Sequence, residues 1–253
     1  MRSDSSVLLI DNSNSRTKFC LYQSGSIRSD MKIISTGDIS DVTLRCCLAN
    51  WHYSAVYVCS VVPEKAKILE AFFSCPVYFL RYDSCDLVDF ASYPGKCTLG
   101  ADRVANVLGL SEWNRFPAVA VDLGTAVTLE VVVKNSSGRL QFIGGMIAPG
   151  LSLFSEYLST RTAQLPQVQH LMQPPVDYIG RDTARSIHAG FFSGAVGMLR
   201  SMLGAVTASL RETPFIVATG GDAAWAAAQL PEIDEVDTLL TLRGLARYAE
   251  SES

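Results

Sequence analysis

The sequence predicts an α/β protein made of two similar halves. In each half a strand, an acidic loop, a second strand, a turn and a third strand come first, and helices and further strands follow. Asp11 and Asp122 hold the same place in the two halves. The chain has 253 residues, of which 48% are hydrophobic, which is enough for one or two domains with real cores and excludes global disorder.

The first half is predicted from short runs of aliphatic, β-branched and aromatic residues between polar turns. The unbroken aliphatic run Val7–Ile10 predicts a buried strand. Asp38 is expected to cap a helix, and Pro63 suits the first turn of a helix that ends near residue 73. The predicted strands cover residues 7–10, 17–22, 27–34, 55–61 and 77–80.

The second half repeats this order after a boundary near residues 114–117. Helical segments are expected from about residue 151 and at the C-terminus, and the proline-containing residues 164–175 are predicted to form a loop. The predicted strands cover residues 117–121, 126–133, 140–144, 215–218 and 236–240. The predicted domains are therefore residues 1–115 and 116–253.

Charge and cysteine content restrict the partners and the compartment. With 21 basic and 25 acidic residues, the chain has a net charge of −4. It therefore lacks the excess of positive charge that is typical of proteins that bind nucleic acid. No apolar stretch approaches the roughly 20 residues of a membrane span, and the N-terminus lacks a signal-peptide core. The seven cysteines form no C-x-x-C pair, which favours a reducing compartment over a disulfide framework. We expect a cytoplasmic protein that binds neither nucleic acid nor membranes.

The first acidic loop runs from Asp11 to Lys18 and reads Asp-Asn-Ser-Asn-Ser-Arg-Thr-Lys. A tight polar turn between two strands can present N–H groups and hydroxyls to phosphate, and Lys18 adds a positive charge. Asp11 could hold a hydrated Mg²⁺, a cation that prefers to keep its waters. Taken alone, the loop is explained equally well as an ordinary polar hairpin with a capping aspartate.

The second acidic loop, Asp122–Thr128, reads Asp-Leu-Gly-Thr-Ala-Val-Thr. Gly124 permits close approach of the backbone to a ligand, and Thr125 and Thr128 supply hydroxyls. A hairpin rich in Gly and Thr is again the plain alternative. The matching places of the two loops favour a pair that grips the phosphates of a nucleotide across a cleft.

A third segment, Gly100–Arg103, leads into an apolar helix. Asp102 sits where that helix begins. It is either a capping carboxylate stabilised by the helix dipole or a base that accepts a substrate hydroxyl proton during phosphoryl transfer. Arg103 could bind a substrate carboxylate through its planar guanidinium. The glycine-rich residues 144–151 and 218–222 are weaker signals, more often structural than functional.

Several signatures of other enzyme classes are absent from the sequence. It contains no P-loop of the form G-x-x-x-x-G-K-[ST], no G-x-G-x-x-G after a strand and no G-x-S-x-G nucleophile elbow. His52, His170 and His188 have no metal-ligand spacing.

Taken in order, these segments resemble type III pantothenate kinases, bacterial enzymes of coenzyme A synthesis. The resemblance rests on Asp11-x-x-Asn-Ser-x-x-Lys18, Tyr93-Pro-x-x-x-x-Leu-Gly-Ala-Asp-Arg103, Asp122-x-Gly-Thr-Ala-x-Thr128, Gly144-Gly-x-Ile-x-Pro-Gly150 and Thr219-Gly-Gly221. It covers nearly the whole chain. The Gly-Ala-Asp-Arg and Asp-Leu-Gly-Thr-Ala segments together are fairly specific, whereas D-x-G-T alone is widespread among actin-like ATPases and sugar kinases.

The resemblance implies two similar RNase H-like domains of the actin-like ATPase type with a central cleft, each a mixed sheet flanked by helices. It implies phosphorylation of (R)-pantothenate by ATP with Mg²⁺, a monovalent cation (potassium or ammonium) and a homodimer. Asp102 would be the proton acceptor, Asp122 would bind the monovalent cation, and Asp11 would hold Mg²⁺ through water. ATP would be bound by Asp11, Asn12, Ser13, Asn14, Ser15, Arg16, Thr17, Lys18 and Thr125. Pantothenate would be bound by Tyr93, Gly100, Ala101, Asp102, Arg103 and Thr183.

One position departs from the family pattern. Ser13 stands where these kinases usually have glycine. If that position has a positive φ, the added Cβ costs on the order of 1 kcal/mol or more. We expect ATP binding to survive, at most weakened. Two alternatives stay open from the sequence: another actin-like small-molecule kinase, and a catalytically weak homologue that acts as a regulatory or binding protein.

Overall fold

The computed structural model describes residues 6–84 and 86–252. The strands are β1 (Val7–Asn12), β2 (Arg16–Gln23), β3 (Ser26–Ile27), β4 (Lys32–Ser35), β5 (Val56–Ser60), β6 (Val77–Phe79), β7 (Val88–Asp89), β8 (Ala118–Leu123), β9 (Ala126–Lys134), β10 (Leu140–Pro149), β11 (Phe215–Gly220) and β12 (Glu235–Val236). The helices are α1 (Asp41–Leu48), α2 (Pro63–Phe72), α3 (Ala101–Gly109), α4 (Leu151–Arg161), α5 (Thr183–Ser209), α6 (Ala223–Gln229) and α7 (Leu240–Ser251). Short 3₁₀ helices cover Thr36–Asp38, Lys96–Thr98 and Leu110–Trp113.

The chain forms two compact units. The first contains the residues up to Arg115 together with Val132–Gly144 and the segment from Leu239 onward, and the second contains Phe116–Val131 and Gly145–Thr238. The hairpin of β9 and β10 is therefore divided between the units. The predicted domains, residues 1–115 and 116–253, stay a prediction about the two halves, because a division by compactness does not test a duplication.

The sheet of the first unit has the order β3-β2-β1-β5-β6, and β4 also pairs with β2. β1 runs antiparallel to β2 and parallel to β5. Because β1 lies in the middle of this sheet, Leu8, Leu9 and Ile10 are all fully buried. The unbroken aliphatic run that predicted a buried strand is thereby confirmed.

Two local predictions in this unit are wrong. Residues 27–34 do not form one strand, because the chain turns between β3 and β4, where Arg28 and Asp30 form an exposed ion pair. Asp38 does not cap α1 and lies instead in the preceding 3₁₀ helix. The cap is Ser40, whose hydroxyl accepts a hydrogen bond from the Thr43 N–H at 3.3 Å in a capping box.

The helix α3, which carries Asp102, packs against the C-terminal helix α7. Two glycines permit the close approach of these helices. A Cβ at Gly244 would lie 1.8 Å from the Ala105 carbonyl oxygen, and one at Gly109 would lie 2.5 Å from that of Leu240. A buried hydrogen bond of 2.9 Å from the Thr241 hydroxyl to Asn106 Oδ1 joins the same two helices. α3 is therefore fixed on one side by its own unit.

The second sheet has the order β12-β11-β8-β9-β10-β7. In the second unit β8 and β11 are parallel and fully buried at Val119, Ala120, Val217 and Ala218. The helix α5 covers this core with Ala195, Leu199 and Leu203. Mixed sheets flanked by helices confirm the predicted α/β class.

Among the described helices, only α5 is long and apolar enough to cross a membrane by length and composition. Of its most apolar 18-residue window, 39% is buried inside the protein. Core helices of soluble proteins meet the same criteria, so this feature is weak evidence for a membrane span.

Candidate active site

The first acidic loop connects the antiparallel strands β1 and β2. Asp11 and Lys18 are register partners on these strands, and Lys18 Nζ lies 3.2 Å from Asp11 Oδ2. The other carboxylate oxygen, Asp11 Oδ1, accepts a hydrogen bond of 2.8 Å from the Ser13 hydroxyl. Asp11 is 3% exposed, whereas the loop tip at residues 14–16 is exposed. The loop thus combines a buried, paired carboxylate with an open polar tip.

Ser13 carries no left-handed strain. Among the described residues other than glycine, positive φ occurs at Ser24, Asn114 and His170. The Ser13 N–H donates to the Arg16 carbonyl at 3.2 Å and closes the turn. The strain that a positive φ would impose on a Cβ at this position is therefore absent, and the serine hydroxyl gains a partner in Asp11.

A buried polar network supports the loop from the first sheet. The Ser60 hydroxyl donates to Asn12 Oδ1 at 2.7 Å, and Asn12 Nδ2 donates to the Thr17 hydroxyl at 2.8 Å. The Thr17 and Thr36 hydroxyl oxygens are 2.9 Å apart. Sequence reasoning missed Thr36 and Ser60. Their position at strand ends, directly after β4 and at the end of β5, is the signal that could have found them.

Asp102 lies in the first turn of α3. The capping position belongs to Gly100, and Asp102 Oδ1 accepts a hydrogen bond of 2.8 Å from the Arg103 N–H. Burial raises the pKa of the Asp102 carboxyl, the hydrogen bond from Arg103 lowers it, and the charge of Asp11 raises it again. The charge of Asp11 therefore acts on Asp102, although the two residues are distant in sequence.

Gly100 allows the Asp102 carboxylate to lie close to the backbone. A Cβ at Gly100 would lie 2.5 Å from Asp102 Oδ1 and 3.7 Å from Val61 Cγ1. The Val61 N–H in turn donates to the Asn12 carbonyl at 3.2 Å. The segment before α3 therefore lies against the chain that holds the first acidic loop, and the unit brings a polar loop and a carboxylate together.

Tyr93 and Arg103 meet at Phe142, a residue that sequence reasoning missed. The ring centroids of Tyr93 and Phe142 are 5.0 Å apart at 67°, and the Arg103 guanidinium carbon lies 5.8 Å from the Phe142 centroid. Arg103 is only 8% exposed. The Arg103 guanidinium is thus held beside the Phe142 ring, and a guanidinium is suited to an anionic group on a small molecule.

In the second unit, Asp122 and Thr125 lie on a loop that glycines pack tightly. A Cβ at Gly150 would lie 2.4 Å from the Thr125 carbonyl oxygen. Gly220 has a φ of +92°, and a Cβ there would lie 2.4 Å from the Leu123 carbonyl oxygen and 2.8 Å from Asp122 Oδ1. The two glycine-rich segments that were weak signals in the sequence thus both contact the second acidic loop.

Thr183 begins α5, directly after the capping residue Asp182. It lines an apolar cavity of about 930 Å³ between α4 and α5. The residues that line this cavity include Leu153, Tyr157 and Phe191 but neither Asp122 nor Thr125. Thr183 therefore lines this cavity together with residues of α4 and α5.

Comparison with known proteins identifies the family. The family model of type III pantothenate kinases matches residues 7–205. A type III pantothenate kinase of Akkermansia muciniphila is 39% identical over 238 residues, which cover 94% of this chain and 96% of the relative. The chain belongs to the type III pantothenate kinase family. It is therefore a phosphotransferase of the class that catalyses the first step of coenzyme A biosynthesis, and kinase membership implies ATP-dependent phosphoryl transfer.

Solved structures agree on the fold. A Campylobacter jejuni protein assigned to the Baf family of transcriptional activators has a TM-score of 0.65 at 20% identity, over 97% of this chain and 98% of that one. The activator of the 2-hydroxyisocaproyl-CoA dehydratase from Clostridium difficile, solved with bound ADPNP, has a TM-score of 0.54 at 13% identity, over 98% and 96% of the two chains. Together with the observed sheets, this likeness confirms the predicted fold class, an α/β protein with mixed sheets flanked by helices.

Proposed function

We propose that the protein transfers the γ-phosphoryl group of ATP to the primary hydroxyl of (R)-pantothenate, with Asp102 as the base. The observation that carries this proposal is the position of Asp102 beside the Asp11–Lys18 loop. The pantothenate oxygen attacks the γ-phosphorus, and the bond from that phosphorus to the β–γ bridging oxygen breaks. ADP leaves, and the hydroxyl proton passes to Asp102.

The first acidic loop serves the ATP phosphates in this proposal. Lys18 and the loop N–H groups offset the charge that builds on the phosphate oxygens. The described residues contain no group of three or more His, Cys, Asp or Glu suited to a metal. A single buried carboxylate, Asp11, fits Mg²⁺ that is held through water and phosphate oxygens, because both of its oxygens already have protein partners. The ion would supply charge neutralisation when bound.

Arg103 and Tyr93 are proposed to bind pantothenate. Pantothenate carries one carboxylate, and the guanidinium of Arg103 can pair with it through two parallel hydrogen bonds. Arg103 and Asp102 are adjacent on the first turn of α3, so the start of one helix would both anchor the carboxylate of the substrate and accept its hydroxyl proton. Gly100 and Ala101 contribute the backbone at this turn.

The second-unit residues are assigned through family membership. Thr125 would contact ATP, Thr183 pantothenate, and Asp122 a monovalent cation, potassium or ammonium. The exposed position of Thr125 and the half-buried carboxylate of Asp122 are compatible with these roles. A cation at Asp122 would replace a side-chain ammonium near the phosphates.

A homodimer in the cytoplasm, bound to neither nucleic acid nor membrane, completes the proposal. Support for the dimer comes from a concentration of exposed apolar side chains in the second unit, namely Ile147, Leu153, Tyr157, Val176, Tyr178 and Ile179. Leu153 and Tyr157 line one apolar cavity, and exposed apolar surface is typical of interaction sites. Sedimentation velocity is expected to give a dimer for the wild type and a monomer for Leu153→Asp. A monomeric wild type would reject the dimer.

The deciding experiment measures ADP release by purified protein with ATP and Mg²⁺, with and without pantothenate. We expect pantothenate-dependent turnover that falls about 100-fold in Asp102→Asn, while the variant still binds ATP. Turnover at the wild-type rate in this variant would remove Asp102 from the role of base. A folded wild type that binds pantothenate without turnover would favour a regulatory or binding protein instead.

The cation proposal is tested by replacing potassium with sodium in the same assay. We expect wild-type turnover to need potassium or ammonium. In Asp122→Asn, the rate of turnover should no longer change when sodium replaces potassium. Wild-type turnover that is independent of the monovalent cation would leave the kinase in place and reject Asp122 as a cation site.

A further inference from the structure

We propose that Thr36 is a positioning residue for nucleotide binding, an inference that rests on the proposed function of the first acidic loop. Thr36 belongs to neither the predicted site nor the motifs that carry the family resemblance. It reaches three residues of the loop. Its hydroxyl donates to the Ser13 carbonyl at 2.7 Å and lies 2.9 Å from the Thr17 hydroxyl, and its N–H donates to the Ser15 carbonyl at 3.1 Å.

The hydrogen-bond directions follow from a count of protons. A threonine hydroxyl has one proton, and that of Thr36 goes to the Ser13 carbonyl, which can only accept. Thr17 must therefore donate to Thr36, and Thr17 itself accepts from the Asn12 amide. With the Ser60 hydroxyl donating to Asn12, the chain runs in one direction from β5 to the loop backbone. Hydrogen bonds in such a chain polarise and strengthen one another.

Burial makes this chain costly to break. Asn12 is 1% exposed, Thr17 is fully buried and Thr36 is 2% exposed. If the Thr36 hydroxyl is removed, the Ser13 carbonyl loses this donor, and the Thr17 hydroxyl, which is fully buried, loses its acceptor where water has little access.

Thr36 stands on a support that is itself held in place. Lys65 on α2 donates a hydrogen bond of 2.9 Å to the Gly37 carbonyl, inside the 3₁₀ helix Thr36–Asp38, and one of 3.1 Å to the carbonyl of Ile39, the residue that follows this helix. Ile39 is buried in the core of the first unit. The preceding residue, Ser35, is the register partner of Arg16 on β2. Thr36 therefore ties the loop to a fixed point of the unit.

A fixed loop matters for phosphate because N–H groups bind an anion well when they are already oriented. Without the Thr36 hydroxyl, part of the binding free energy of ATP must order the loop. The hydrogen bonds of Thr36 go to Ser13, Thr17 and Ser15, all on the loop that serves ATP, whereas pantothenate is served in the proposed function by Asp102 and Arg103 on α3. The expected effect is thus a loss of ATP affinity with little change in the KM for pantothenate.

The test compares Thr36→Val with Thr36→Ser and Thr241→Val. The valine removes the hydroxyl and keeps the shape, the serine restores the hydroxyl, and Thr241→Val breaks a hydrogen bond of another buried threonine, on α7. Calorimetric titration with a non-hydrolysable ATP analogue measures affinity independently of turnover. We expect about tenfold weaker binding for Thr36→Val and values within about threefold of the wild type for the other two.

Kinetics supply the second readout. The KM for ATP should rise in Thr36→Val, with the KM for pantothenate within about twofold of the wild type. Wild-type affinity in Thr36→Val, or an equal loss in Thr241→Val, would overturn the proposal in favour of a purely structural threonine.

If Thr36→Val does not fold, Lys65→Met replaces it in the test. We expect Lys65→Met to bind ATP more weakly than the wild type, and unchanged binding would contradict the proposal. A wild type that binds the analogue but does not phosphorylate pantothenate rejects the proposed function and leaves this comparison intact.

Discussion

The two acidic loops follow one sequence pattern but are held by different physical means. In the first unit, the loop after Asp11 is supported by side chains, through the buried hydrogen bonds of Asn12, Thr17 and Thr36. In the second unit, the loop after Asp122 is supported by backbone packing. Gly150 and Gly220 lie so close to its carbonyl oxygens that neither position has room for a Cβ.

This difference predicts which substitutions each loop tolerates. A loop held by hydroxyls fails when a donor is lost, and it can be repaired by a conservative replacement that restores the hydroxyl. A loop held by close backbone contact fails when any side chain is added, and no conservative replacement exists. The matching places of the two loops in sequence do not indicate this difference.

The largest effect is expected for Gly220→Ala in the second unit. The alanine would combine a left-handed φ with overlap against the Leu123 carbonyl and the Asp122 carboxylate. We expect the free energy of unfolding to fall by about 3 kcal/mol, as measured by urea denaturation.

Gly221→Ala is the matched control, because an added Cβ there meets nothing within 4 Å. Its free energy of unfolding should change by less than about 0.5 kcal/mol. Equal stability of the two variants would mean that close packing does not hold the second loop.

A smaller effect of opposite sign is expected for Asp102 and Asp222, two partly buried carboxyls that lie near the first and second loops. Burial raises the pKa of both Asp102 and Asp222. The folded protein then binds a proton more tightly than the unfolded chain does, so the ionised carboxylate costs stability as pH rises above the ordinary carboxyl pKa of about 4. Asp102→Asn and Asp222→Asn should therefore each raise the thermal midpoint at pH 7.

The pH dependence checks the cause of this gain. The advantage of each variant over the wild type should shrink as the pH is lowered towards about 4, where the wild-type carboxyl is protonated in both states. For Asp102→Asn the gain in stability comes with the loss of turnover. A lower midpoint at pH 7 would mean that the ionised carboxylate makes favourable contacts that outweigh its burial.

Sequence patterns predicted most of the strands and the polar loops but not the supports of those loops. The aliphatic run at residues 7–10 predicted its strand because local composition determines burial in a central strand. Thr36, Ser60 and Phe142 were missed because each matters through residues that are far away in sequence. The place of Thr36 directly after an edge strand is only a weak local signal, because its role depends on the sheet that brings it to the loop.

The wrong prediction at Asp38 has a different cause, because here two local signals compete. Asp and Ser are both good helix caps, and two lie within three residues of each other before α1. The choice of Ser40 depends on the preceding 3₁₀ helix, which the sequence did not predict. When two candidate caps are equally suitable, the conformation of the surrounding backbone determines which of them caps the helix.

The smallest effect is expected for Ser13, and it separates two explanations for the residue that replaces the usual glycine. The Ser13 hydroxyl donates to Asp11 Oδ1 at 2.8 Å, and its backbone is outside the left-handed region. If that hydrogen bond steadies the carboxylate, Ser13→Ala and Ser13→Gly should both raise the KM for ATP by about two- to fivefold. If the Cβ instead crowds a phosphate, Ser13→Gly alone should bind ATP more tightly than the wild type. Titration of both variants with a non-hydrolysable ATP analogue decides between them, and tighter binding by the glycine variant would contradict the supporting role of the serine.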